Sequence, residues 1–176
     1  QGEDGLDNDC DGIIDNITAL SNDASTLAEA FRDAGYYTAA VLSTRHLGHD
    51  NSGLGQGFDR MMTSNDAKQV GQISVEEVKE ILRSEGDQQI FLWLHLFDAH
   101  APYLPPDEYR HEYYPRDRNP YTQGVGITDG NRAMWDQRIR DLEFILSQYK
   151  SEITYLDALL AELFDTPRFA NSIIAF

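Results

Sequence analysis

Apolar positions first recur at helical spacing, with Leu27, Phe31 and Ala34 on one face, Thr26 and Glu29 in a capping-box pattern, and Gly35 placed to end the element. A short helix is predicted there. Tyr37 to Leu42 then run apolar and β-branched without polar alternation, which predicts a strand buried on both faces. Ser43 to Asp59 is polar and glycine-rich and reads as a loop beyond that strand's carboxyl end. The same order repeats. Ser74 and Glu77 form a second capping box, Ile73 and Val78 a hydrophobic staple, and Val78, Ile81 and Leu82 the buried stripe of a helix ended by Gly86 and Asp87. Ile90 to Phe97 follow as an almost continuous apolar run, predicted to be a central strand.

Helix then buried strand, twice over, implies parallel strands with right-handed crossovers and an α/β fold. From Asp98 to about Trp135 the chain carries Pro102, Pro105, Pro106, Pro115 and Pro120 and many tyrosines, a long excursion read as an ordered, packed loop. A long helix is predicted from about Met134 to Leu163, with a break near Ser147. Its second half buries Tyr149, Ile153, Leu156, Leu160 and Leu163, and Pro167 closes it. Ser172 to Phe176 reads as a third strand. Gln1 in place of Met, and a stop inside that apolar run, suggest a chain cut at both ends.

With 176 residues and 41% hydrophobic content, a folded domain or part of a larger one is expected, not wholesale disorder. The formal charge of −16 argues against nucleic acid backbones or anionic lipid as partners, since both need a positive field. A single Cys excludes an internal disulfide and a Cys-rich zinc site. No apolar run approaches the roughly 20 residues that span a bilayer.

In open α/β sheets, ligands bind beyond the carboxyl ends of the strands. That selects the loop after Leu42, with Arg45, His46, His49 and Asp50, and the loop after Phe97, reading Asp98, Ala99, His100, Ala101, Pro102, Tyr103. His100, one step past a rigid strand, can give a proton to a leaving oxygen or hydrogen-bond an oxyanion, or it is an ordinary loop histidine. His46 and His49 fit ordinary surface positions and His95 a satisfied core histidine. A zinc site among His46, His49, His95, His100 and His111 matches no tight spacing. Gly53, Gly55 and Gly57 precede no helix start, so a dinucleotide loop is not indicated.

At the N-terminus Asp7, Asp9, Asp11 and Asp15, with Gly12, alternate oxygen ligands as calcium loops do, but without the distal Glu of an EF-hand. The alternative is a solvated acidic tail. Residues 1–18 are therefore taken as an acidic segment and a possible calcium-binding loop, and 19–176 as the α/β domain.

Three blocks carry a family resemblance: Thr26 to Val41, Gly53 to Asp59 (GLGQGFD), and Phe91 to Tyr103 (FLWLHLFDAHAPY). In that order and spacing they resemble the sulfatases of the alkaline phosphatase superfamily, and Tyr149 to Asp157 is similar to the family's helix before its last metal-binding strand. The resemblance covers roughly residues 12 to 176. It implies a partial alkaline-phosphatase-like sandwich, a mostly parallel sheet flanked by helices. It further implies hydrolysis of sulfate esters by a formylglycine nucleophile with one bound calcium, and an extracytoplasmic, periplasmic or secreted setting.

His100 matches the histidine of the family's H-x-P segment, which contacts the sulfate or protonates the leaving group. His46 matches the histidine of the family's lysine-tryptophan-histidine segment, where the lysine is Thr44 here. Asp98 and Tyr103 are the accompanying substrate-binding candidates. Nothing upstream of Thr26 matches the nucleophile segment, and Cys10, followed by Asp11, Gly12 and Ile13, does not fit it. The expected function is thus part of a sulfatase-like hydrolase, inactive alone. A phosphoryl-transfer relative, or a non-catalytic calcium-binding or interaction module, is the alternative. The acidic start also resembles D-G-x-D-N-D-C-D-G calcium repeats, while Gly12 to Asn16 can equally be read as the family's own approach to its helix.

Overall fold

The computed structural model describes residues 19–65, 68–122 and 138–176. The acidic segment with Asp7, Asp9, Asp11 and Asp15 lies outside them. The described residues form two compact units: those through Gln69 with Glu76–His95, and Val70–Val75 with Leu96–Phe176.

The first unit is built on a parallel three-stranded sheet in the order β2-β1-β3, with β1 at Tyr37–Leu42, β2 at Arg60–Thr63 and β3 at Ile90–His95. The fold class is α/β, as expected. α1, Leu27–Asp33, starts at the predicted capping box: Thr26 Oγ1 accepts from Glu29 N–H at 3.1 Å, and Glu29 Oε2 accepts from Thr26 N–H at 2.8 Å. β1 is buried from Thr38 to Leu42, as its unbroken apolar run requires. Ala39 pairs with Arg60 and Leu92, and Leu42 with Thr63 and His95, so three strand ends finish at one edge.

β3 is an edge strand of the described sheet and is only half-buried along its length. A continuous apolar run cannot distinguish a central strand from an edge strand whose side chains find other cover. Phe91 stacks on Phe31 with ring centroids 4.5 Å apart, and Phe58 stacks on Trp93 at 6.2 Å. The stretch read as a loop contains a 3₁₀ turn at Arg45–Leu47 and α2 at His49–Ser52. It leads into β2, which the sequence pattern did not indicate. Asp59 fixes that strand's approach by accepting from Thr38 N–H at 2.9 Å, while Thr38 Oγ1 donates to the Gly57 carbonyl at 2.7 Å.

α3, Gly71–Ser84, buries Val75, Val78 and Ile81 but starts three residues before its predicted cap. Ser74 is buried inside the helix and Ile73 is exposed, so neither capping box nor staple forms. Distant side chains satisfy the first turn instead. Gly71 N–H donates to Asp98 Oδ1 at 2.9 Å, and Gln72 N–H to the Tyr155 hydroxyl at 3.1 Å.

In the second unit α4 spans Leu142–Phe164, capped by Asp141, whose Oδ1 accepts from Glu143 N–H at 3.1 Å. Residues 138–141 precede it without helical structure, the predicted start near Met134 lies outside the described residues, and the helix is continuous through Ser147. Leu163 is buried as predicted, but the rest of the buried face differs from the predicted one. Ile145, Gln148, Ser151, Glu152, Tyr155 and Leu159 are buried, whereas Tyr149 is 39% and Ile153 44% exposed. One residue of offset is about 100° around a helix.

The reason is polar. Glu152 Oε1 accepts from Leu104 N–H at 2.8 Å, Ser151 Oγ donates to the Tyr109 carbonyl at 2.7 Å, and Gln148 Nε2 donates to the Arg110 carbonyl at 2.9 Å. These bonds pin the described part of the Tyr- and Pro-rich excursion, which is an ordered loop as predicted, and they satisfy groups whose burial would otherwise be costly. Residues 172–176 form no strand, and Ile173 and Phe176 are fully exposed. An apolar, β-prone segment becomes a strand only when a neighbour pairs with it. No helix among the described residues is long and apolar enough to cross a membrane.

One titration follows from this unit. The buried Tyr114 hydroxyl donates to Asp141 Oδ2 at 2.9 Å, and burial, then that carboxylate, push its pKa up to about 12. The folded state thus holds a proton that the unfolded chain releases near 10, so this contribution is intact below pH 10 and is lost as pH rises towards 12. Urea midpoints measured from pH 9 to 12 should fall for the wild type, and Tyr114→Phe should flatten that fall.

Candidate active site

In the first unit the carboxyl ends of β1 and β3 place two imidazoles at one edge. Ser43 and Thr44 continue β1 and are fully buried, and Ser43 N–H donates to the His95 carbonyl at 3.0 Å. The Thr44 hydroxyl meets His46 Nδ1 at 2.7 Å and fixes how that ring is turned. His95 ends β3 opposite Leu42. Burial first, and the neighbouring His46 second, lower its pKa, so it stays neutral more readily than a free histidine. It is a half-buried strand-end residue instead of the core histidine expected from sequence.

In the second unit His100 has a defined tautomer. Its Nδ1 lies 2.7 Å from the Ala101 carbonyl oxygen, which can only accept, so Nδ1 carries the hydrogen. The ring also stacks on Phe97, with centroids 4.3 Å apart and planes 19° from parallel. Nε2 is then the nitrogen able to take up and return a proton. The Ala101–Pro102 peptide bond is cis. Tyr103 packs on Tyr149 at 5.1 Å, and burial, then Tyr149 and Glu152, raise its pKa and keep the hydroxyl neutral.

Asp98 has a structural task that the sequence did not show: buried, it caps α3 through Gly71. A Cβ at Gly71 would sit 2.8 Å from Asp98 Oδ2 and 3.1 Å from Leu159 Cδ1, so glycine permits this approach.

His46 and His95 therefore stand together in one unit, and His100 and Tyr103 belong to the other. Sequence reasoning took His95 for a core histidine and Thr44 only for the place of the family's lysine. The usable signal was the strand-end position of His95, hidden because the apolar run continues to Phe97.

A Sulfatase family model matches residues 4–172. The chain belongs to the sulfatase family. Among solved structures it is similar to the C-terminal periplasmic domain of EcEptC from Escherichia coli, a crystal structure in complex with Zn. The identity is 12% and the TM-score 0.46, with 84% of this chain and 46% of that chain covered. The chain thus spans about half the length of that structure. No curated protein matches it.

Sulfatase-family domains usually bind a metal ion. Among the described residues, no group of three or more His, Cys, Asp or Glu side chains is placed to hold one, so those residues do not fit a metal site. The residues placed at the strand ends and in the loop after Phe97 offer imidazoles and hydroxyls.

Proposed function

We propose that this sulfatase-family chain supplies substrate-side residues of a sulfate-ester hydrolase, with His100 as the proton donor to the leaving group. The observation that carries the reading is the bond from His100 Nδ1 to the Ala101 carbonyl, together with the Phe97 stack. A ring held at Nδ1 presents Nε2–H in its charged form. As the sulfur–oxygen bond breaks, that proton passes to the departing oxygen and neutral imidazole remains. Phe97 and the short tether to Ala101 limit how far the ring can swing, which is the preorganisation such a transfer needs. The family resemblance gives His46 the part of hydrogen-bonding an oxyanion, and Thr44 holds its Nδ1 side. Tyr103 offers a neutral hydroxyl and a ring face for the remainder of the substrate.

Neither His100 nor His46 matches a nucleophile segment, so the isolated chain is expected to leave aryl sulfates intact. In the protein that carries this chain, an aryl sulfate should be hydrolysed with a higher kcat/KM than the matching aryl phosphate. A preference for phosphate would replace sulfate chemistry by the phosphoryl-transfer alternative, and turnover by the isolated chain would remove the division of labour.

The reading includes an extracytoplasmic setting and a division into 1–18 and 19–176, with the first segment binding calcium through Asp7, Asp9, Asp11 and Asp15. Calorimetric titration with calcium should give heat that the paired Asp9→Ala and Asp11→Ala changes abolish. No heat, or heat indifferent to those changes, would remove calcium from this segment.

A further inference from the structure

We infer that the first unit carries a separate oxyanion subsite, in the cleft between the loops that follow β1 and β2, taking a sulfate or phosphate group. The inference deepens the proposed function in one respect only, that the group would be borne by the substrate. The binding itself does not depend on His100.

The cleft has a volume of about 260 Å³ and is lined by Arg45, Gly48, His49, Asp50, Met61, Thr63, Ser64 and Asn65. It opens at the carboxyl ends of two adjacent parallel strands, since Leu42 and Thr63 are register partners and end β1 and β2. Loops converge beyond such ends, and ligand sites form there.

Its chemistry is donor-rich in a chain whose net charge is −16. Among the described residues that line it, Arg45 brings a guanidinium, His49 an imidazole, Thr63 and Ser64 hydroxyls, Asn65 an amide and Asp50 a carboxylate. A planar guanidinium with hydroxyl donors suits a tetrahedral oxyanion, whose oxygens accept several bonds at once. Successive residues of one turn thus face different tasks: His46 meets Thr44, and Arg45 lines the cleft.

Gly48 keeps the floor low. A Cβ there would lie 3.1 Å from both the Arg45 carbonyl oxygen and Thr63 Cγ2, closing the space between the two loops. The volume is below that of pockets for drug-sized ligands, so it suits one charged group and part of the ring that bears it.

The test titrates the full chain with sodium sulfate, sodium phosphate and sodium acetate at constant ionic strength, following backbone amide NMR signals. Sulfate and phosphate should shift Gly48, Thr63 and Ser64 in a saturable way, and acetate should do so at least fivefold more weakly. Arg45→Met should raise the apparent Kd about tenfold, and Arg45→Lys no more than about threefold. His100→Ala should bind as the wild type does, which separates failure of this subsite from failure of the proposed proton donor. Shifts unaltered by Arg45→Met, or lost in His100→Ala instead, would overturn the subsite. Equal response to acetate would overturn the choice of a tetrahedral group.

Discussion

Asp98→Ala should destabilise the second unit by about 2–3 kcal/mol. The removed carboxylate accepts the first backbone N–H of α3 at 2.9 Å from a buried position. Loss of a charge-assisted bond of this kind costs about 1.5–3 kcal/mol, and the stranded donor has no water to turn to. Asp98→Asn keeps an acceptor and should cost about half as much. Gly71→Ala should also destabilise, because its new Cβ would press on Asp98 Oδ2 at 2.8 Å. Urea unfolding measures all three, with the midpoint moving and the slope constant. The sequence suggested a substrate-binding Asp98. A variant of unchanged stability with a tenfold higher KM would favour that role and remove the cap.

Replacing His100 by alanine should lower kcat/KM for a sulfate ester of a poorly leaving alkyl alcohol by about 10²–10⁴ in the protein that carries this chain, the span that positioned proton transfer supplies. Stability should fall by only about 1 kcal/mol, since the ring gives up one aromatic stack on Phe97. His100→Gln keeps a donor near that place but cannot deliver a proton, so it should be as slow as alanine. Thr44→Val should have a smaller effect, because it releases the orientation of His46 while leaving the imidazole present. The contrast between a large kinetic loss and a small thermodynamic one separates a chemical role for His100 from a packing role.

Much of the framework was legible because its signals are local. The Thr26 and Glu29 capping box, the buried run from Tyr37 to Leu42 and the apolar run after Gly86 each depend on neighbours in sequence, and each forms. Failures came where distant partners decide. Ser74 looked like a cap, but Asp98 and Tyr155 reach the start of α3 first. Gln148, Ser151 and Glu152 were absent from the predicted buried face of α4, yet the excursion's backbone makes them part of it, and Tyr149 and Ile153 turn outward. Counting apolar residues alone cannot detect a face held by hydrogen bonds. The same holds for the site. His100 was visible from its place after an apolar run, but the carbonyl that sets its tautomer, and the hydroxyl of Thr44 on His46, required coordinates.

The central claim is that His100 protonates the leaving oxygen, and a leaving-group series tests it most directly. In the protein that carries this chain, kcat/KM would be measured for wild type and His100→Ala with sulfate esters running from 4-nitrophenol to an aliphatic alcohol. An acid catalyst matters little when the departing oxygen is already a stable anion and greatly when it is not. The account predicts a loss of less than about tenfold for the nitrophenyl ester, growing to 10² or more for the alkyl ester. An equal loss along the whole series, or none, would contradict it.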